Sequence, residues 1–258
     1  VTLHGTDITV VGTDPAYRRT TRYAIDRCDG VTAVSQWLVD ETIKVFAPDR
    51  PMRRIPNFVD LGKFRPATGG DGRSRFADPG ESVLVHISNF RPVKRIPDVV
   101  RLFAKVRAKR PARLVMVGDG PDRPLAEEEA RRLGVTKSVS FLGERTEIEP
   151  LLAAADLFLL PSESESFGLS ALEAMACGVP VIGTRTGGLP EVVEHGVSGH
   201  LCVPGDVDCM AEFAIALLAN PAKHGAFRAA ARARAEQYGR ADVVGLYEDY
   251  YREVVGKA

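Results

Sequence analysis

The chain has 258 residues, 45% of them hydrophobic and 26% charged, which is enough to bury a sizeable core as one large or two modest domains. Its 34 basic residues balance 34 acidic ones, so there is no bulk electrostatic case for nucleic acid or an anionic membrane as the main partner, and any anion site must be local. Cys28, Cys177, Cys202 and Cys209 show no CxxC spacing and read as buried free thiols, neither zinc ligands nor a disulfide framework. The longest apolar stretch, Leu151 to Leu160, is interrupted by Asp156 and is far shorter than the ~20 residues of a spanning helix.

Val1-Thr2-Leu3-His4-Gly5 reads as the end of a buried strand meeting a turn, so residues are expected before it and no targeting segment can be assessed. A helix around Tyr17–Arg27, a strand Val31–Val34, a helix Gln36–Phe46 and a strand Arg54–Ile55 follow, too few elements for a complete doubly wound domain. Apolar periodicity stops over Arg65 to Gly72, where Gly and Pro concentrate, as in an interdomain linker. From Ser82 the pattern alternates regularly. Strands are expected at Val83–Ile87, Leu114–Val117, Val139–Leu142, Leu157–Leu160, Val181–Gly183 and near His200–Val203. Helices fall between them at Pro97–Lys109, Pro121–Leu133, Glu149–Ala154, Leu169–Cys177, Pro190–Glu194 and Val207–Ala219. This is an α/β chain with parallel sheets covered by helices. It divides into residues 1–64, 65–239 and a last helical segment 240–258, whose Tyr247, Tyr250 and Tyr251 suit packing back across the domains.

The most informative stretch runs from Pro161 to Pro180. An apolar strand gives way to small polar residues and Gly168, then to a short helix that Gly178 and Pro180 stop. Ligands bind where strand ends meet helix starts in a parallel sheet, and the free N–H groups there suit phosphate or sugar oxygens. Glu165 lies in the turn and Glu173 about two turns into the helix, so both can face one crevice. Glu163 reads as a solvated charge. After the first strand of this domain, Ser88-Asn89-Phe90-Arg91-Pro92-Val93-Lys94-Arg95 places Arg91 and Lys94 where they can neutralise a diphosphate, although a short basic loop is as often plain surface. Gly118-Asp119-Gly120-Pro121 lacks the third glycine of a dinucleotide fingerprint, and Pro121 reads as the first residue of a helix. Gly187-Gly188-Leu189-Pro190-Glu191 reads as a turn and helix start bordering the same face. Near the beginning, His4, Thr6 and Asp7 meet at a strand end, and Arg18, Arg19 and Arg22 share a helix face that suits a small anion or solvent.

The Glu165-x7-Glu173 segment resembles the signature of the retaining GT-B glycosyltransferases of family four, and the resemblance extends over essentially the whole chain. It implies two Rossmann-like domains, the first truncated here, and a nucleotide-sugar donor. By the resemblance, Glu173 holds the ribose hydroxyls. Glu165 with the amides of Phe167, Gly168 and Leu169 holds the donor sugar and phosphates, Asn89, Arg91 and Lys94 face the diphosphate, and Gly143 and Arg145 border the base. Asn89 stands where the family usually has Arg. The Asn-Phe-Arg wording, with Leu3-His4-Gly5-Thr6-Asp7 and Ala33-Val34-Ser35, resembles the branch that transfers N-acetylglucosamine from UDP-N-acetylglucosamine to L-malate in bacillithiol biosynthesis. That branch implies a cytoplasmic, front-face reaction without metal or cofactor, with His4 positioning oxygens and Arg22, or else Arg18, gripping malate with help from Thr6. Open alternatives are a related transferase using inositol phosphate or a lipid, and a fragment that binds nucleotide sugar without turnover. Oligomeric state is left open, a homo-oligomer included.

Overall fold

The computed structural model describes residues 1–6, 8–9, 12, 14–67 and 72–256. Asp7 of the opening cluster and the middle of the Gly/Pro-rich linker lie outside the described residues. The first part comprises β1 (Thr2–Leu3), α1 (Pro15–Asp26), β2 (Val31–Ala33), α2 (Gln36–Phe46) and β3 (Met52–Arg54), and its three strands pair in parallel in the order β1-β2-β3. The third strand ends at Arg54, earlier than the expected Arg54–Ile55. Its pairing is set by the backbone register Val31↔Met52 to Ala33↔Arg54 at a sheet edge, where Arg53 and Arg54 are exposed and give no apolar signal.

The second part is β4 (Ser82–Ile87), α3 (Ile96–Arg107), β5 (Ala112–Val117), α4 (Arg123–Arg132), β6 (Val139–Phe141), α5 (Glu149–Ala154), β7 (Leu157–Leu160), α6 (Leu169–Ala176), β8 (Val181–Thr184), α7 (Leu189–Val192), β9 (Gly199–Cys202), α8 (Val207–Leu218) and α9 (Pro221–Glu236). The helix α4 starts at Arg123, so Pro121 precedes it, and α7 is a short helix that stops at Val192 instead of running to Glu194. All six strands pair in parallel in the order β6-β5-β4-β7-β8-β9. In domain order this is 3-2-1-4-5-6, the doubly wound arrangement with its switch point between the first and fourth strands.

Alternation along the strands supplies both helix layers with apolar partners. Val83, Val85, Phe158 and Leu160 enter one core with α5, α6 and α9, whereas Leu84, Leu157 and Leu159 enter the other with α3, α4 and α8. The first core continues into the small sheet through Leu3, Val31, Val34 and Leu38, so apolar contact spans both parts. The last helix, α10 (Arg240–Val255), returns to the small sheet. There Tyr250 Oη accepts from the Val31 amide at 3.0 Å, and Arg53 stacks on the Tyr250 ring and pairs with Glu253 at 2.6 Å. Val59, leaving the small sheet, bridges Gly239 on the return, so the two passages between the parts run side by side.

The cysteine reading needs correction. Cys202 and Cys209 are joined as a disulfide with Cα atoms 6.3 Å apart, and Cys28 is only partly buried. The strand end β9 turns directly into α8, whose first turn is capped by Asp206 accepting from the Cys209 amide, and this tight reversal brings together two residues seven apart. Cys177 is the buried thiol expected, its pKa pushed up to about 12 by burial. Among the described residues no helix is long and apolar enough to cross a membrane.

Candidate active site

At the switch point the loops after β4 and β7 part in opposite directions, which opens a cleft at the strands' carboxyl ends. The cleft has a volume of about 770 Å³. The loop after β4 contributes Asn89, Arg91 and Lys94, the loop after β7 contributes Glu165, Phe167, Gly168 and Leu169, and α6 contributes Glu173. The small sheet supplies His4 and Thr6 from the opposite wall. A second hollow of about 620 Å³ adjoins it, sharing Ile87, Ser88 and Asn89 and reaching Gly118, Asp119, Glu144 and Arg145. Gly143 stands beside it with its carbonyl accepting from the Gly118 amide at 2.9 Å.

Lys94 and Glu165, 71 residues apart, form the central ion pair, Nζ to Oε1 at 2.7 Å. Ser162 Oγ donates to the same oxygen at 2.7 Å and is itself fully buried. Its carbonyl accepts from Thr184 Oγ1 at 2.6 Å, so the turn is fastened to β8. An ammonium carries three donors, so Lys94 can hold Glu165 and still present N–H groups to an anion. Among the described residues Glu173 makes no ion pair of this kind. Burial pushes its pKa up to about 7, offset in part by the charge of Lys63. Gly168 caps α6 with φ of 92°, a left-handed conformation that an L side chain enters only at a cost, and this turn leaves the first amides of α6 unbonded within the helix.

Behind the cleft, His86 on β4 is buried, its Nδ1 bound to the Leu159 carbonyl at 2.8 Å and its Nε2 to Ser88 Oγ at 2.7 Å. Desolvation holds its pKa down at about 4, so the ring is neutral, donating from Nδ1 and accepting at Nε2. It ties β4 to β7 at the point where they diverge.

Arg18 and Arg22 are not part of this cleft. The guanidinium of Arg18 binds the Val45 carbonyl, Arg22 pairs with Asp26 at 3.3 Å and Asp49 at 3.6 Å, and both residues are exposed. Helical spacing put them on one face but could not say where that face points. Glu163 is exposed as expected and pairs with Arg95 at 2.7 Å. Asn57 and Thr9 also line the cleft, and Ser162 and His86 support it, yet the sequence reading gave none of them a role of its own. Asn57 follows Pro56, two residues beyond the end of β3, a signal that could have been used.

The profile of the family described as Glycosyl transferases group 1 matches residues 72–236, and that of Glycosyltransferase Family 4 matches residues 1–63. The chain belongs to the group 1 glycosyltransferases. Among curated relatives, an N-acetyl-alpha-D-glucosaminyl L-malate synthase of Bacillus anthracis is 43% identical over 256 residues, covering 98% of this chain and 67% of that enzyme. A D-inositol 3-phosphate glycosyltransferase of Mycobacterium avium (strain 104) is 40% identical over 176 residues, covering 64% of this chain and 40% of its own. The crystal structure of Anabaena HepE in complex with UDP and glucose superposes with a TM-score of 0.88 at 26% identity, covering 98% of this chain and 70% of that one. The fold of this glycosyltransferase is therefore GT-B, and the chain spans about two thirds of the length of the Bacillus relative.

Proposed function

We propose that this glycosyltransferase moves N-acetylglucosamine from UDP-N-acetylglucosamine to the hydroxyl of L-malate, with retention at the anomeric carbon. The observation that carries the reading is the convergence of Lys94, Glu165 and Glu173 on one cleft at the switch point of the sheet. The likeness to the Bacillus L-malate synthase supports the acceptor, and the likeness to HepE bound to UDP supports the uridine nucleotide.

In this reading the base lies in the hollow beside Gly143 and Arg145, and the ribose hydroxyls donate to Glu173. The diphosphate meets Lys94, Arg91 and the amides of Phe167, Gly168 and Leu169, with Asn89 beside it. Glu165, with its Oε1 taken by Lys94 and Ser162, turns toward donor sugar hydroxyls. As the bond from the anomeric carbon to the phosphate oxygen breaks, negative charge grows on the diphosphate, and Lys94 and the preoriented amides stabilise it more in the transition state than in the ground state. The malate hydroxyl attacks from the same face, and its proton passes to the departing phosphate oxygen. His4 and Thr6, from the opposite wall, position the acceptor. Arg18 and Arg22, engaged elsewhere, have no part in the pocket. No metal ion or cofactor is assigned a step, and the reaction is placed in the cytoplasm.

The test is UDP release and product analysis with UDP-N-acetylglucosamine and L-malate, compared with inositol phosphate as acceptor. A malate-dependent increase in UDP with an α-linked product is expected. Preference for inositol phosphate would reassign the acceptor, and UDP binding without turnover on any acceptor would sink the reading.

A further inference from the structure

Several polar contacts between the two sheets meet at Glu191, in the short helix α7. Its backbone carbonyl accepts from Tyr238 Oη and from Arg234 Nη2, each at 2.6 Å, which anchors it to the end of α9. Its carboxylate reaches the other way. Oε1 accepts from the Trp37 amide at 2.9 Å, and Oε2 accepts from the Gln36 amide at 3.0 Å and pairs with Arg54 Nε at 3.1 Å. The first amides of any helix lack partners within it, and negative charge at that end is favourable. Here the carboxylate that satisfies the start of α2 comes from the opposite sheet.

Two neighbours strengthen the joint. Ser35, the N-cap of α2, accepts from the Leu38 amide at 3.1 Å and donates through Oγ to the Ser166 carbonyl at 2.7 Å. Gly5, at the end of β1, approaches the same residue so closely that a Cβ there would stand 1.7 Å from Ser166 Oγ. Apolar contact across the two parts is non-directional and allows sliding, whereas these hydrogen bonds fix a register.

That register bears on the cleft. β1 and β2 pair through Thr2↔Thr32 and Leu3↔Ala33, and β2 runs straight into α2, so holding the start of α2 holds the end of β1 that carries His4 and Thr6. On the other wall, Ser166 follows Glu165 in the chain, and the Gly188 amide donates to the Glu165 carbonyl at 2.7 Å. One joint thus connects the wall bearing His4 and Thr6 to the wall bearing Glu165 and Lys94.

We infer that Glu191 is a positioning residue that sets the spacing of the two walls for sugar transfer, an inference that rests on reading the cleft as the transfer site. It does not line the cleft and acts through α2 and Ser166. Trp37 is the single tryptophan of the chain, is half-buried, and donates its own amide to Glu191, so its fluorescence reports on the joint.

The experiment compares Glu191→Ala and Glu191→Gln with the parent chain. In the alanine variant, Trp37 emission shifts to the red and acrylamide quenching rises at least twofold. UDP affinity by calorimetry stays within twofold, because the donor groups all belong to the large sheet and the carboxylate contacts that are lost run from it to α2 and Arg54 of the small one. The turnover number for transfer to malate falls at least tenfold while KM for UDP-N-acetylglucosamine holds. The glutamine variant, which keeps one acceptor oxygen without charge, falls between, and it decides by the same readouts if the alanine variant does not fold. Unchanged Trp37 emission and quenching would overturn the inference. So would a parallel loss of UDP affinity, which would move Glu191 into the donor site or the support of its sheet. If the parent chain transfers no sugar, the functional reading falls, and the Trp37 and UDP measurements still decide the joint.

Discussion

Lowering the pH from 8 to 6 should weaken uridine binding about tenfold, through Glu173 alone. Its carboxyl lies in the second turn of α6, and burial pushes its pKa up to about 7. A ribose hydroxyl pair donates two hydrogen bonds, which the ionised carboxylate accepts fully and the neutral acid does not. Binding therefore selects the ionised form, and one pH step below a pKa near 7 costs about 1.4 kcal/mol, a factor of ten. Uridine is the useful probe because it has no phosphate to titrate in this range. Calorimetry in two buffers of different ionisation enthalpy should find close to one proton released per uridine at pH 6 and almost none at pH 8. The variant Glu173→Gln should bind more weakly with a flat profile. The same group links pH to stability. Because its folded pKa is raised, its contribution is full below about pH 4.5 and lost as pH rises through about 7, by at most about 3 kcal/mol given its partial exposure. Glu173→Gln should accordingly raise Tm at pH 8 while lowering affinity. Refutation would be a pH-independent affinity in the parent protein, or an equal slope in the glutamine variant.

Lys94→Met should reduce the turnover number for transfer by about 10² to 10³, as for loss of one donor to developing anionic charge, and lower stability by about 3 kcal/mol by leaving Glu165 without its ion-pair partner. Steady-state kinetics and thermal denaturation check the two effects, and loss of acceptor affinity alone would put Lys94 on the wrong side of the reaction. Ser162→Ala should raise KM for the sugar nucleotide while leaving uridine affinity unchanged, since Ser162 fixes Glu165 and not Glu173. Equal losses for both ligands would show a general collapse of the turn. Under denaturing, non-reducing conditions, thiol titration should find two reactive cysteines, Cys28 and Cys177, and four would dissolve the Cys202–Cys209 bond.

The strands of the large sheet were legible because they are buried on both faces and read as short apolar runs, as at Leu114–Val117 and Leu157–Leu160. Their order was not, because β4 finds β7 more than seventy residues later through backbone pairing that leaves no mark in either segment. That pairing is what brings Lys94 to Glu165, so their convergence was reachable only through the family resemblance. Arg18 and Arg22 show the limit of periodicity. An (i, i+4) spacing defines a face, and only packing decides whether the face turns to a cleft or to solvent. Glu191 was read as part of a helix start, and its reach to a helix some 155 residues earlier has no local signature. The disulfide escaped because a spacing of seven residues bridges only when a turn reverses the chain, as it does between β9 and α8.

A crystal structure of the protein with UDP tests the central claim most directly. The account predicts ribose hydroxyls within hydrogen-bond distance of Glu173, and diphosphate oxygens against Lys94 and the amides of residues 167–169. A nucleotide bound outside this cleft, or inside it with its ribose remote from Glu173, would contradict the account.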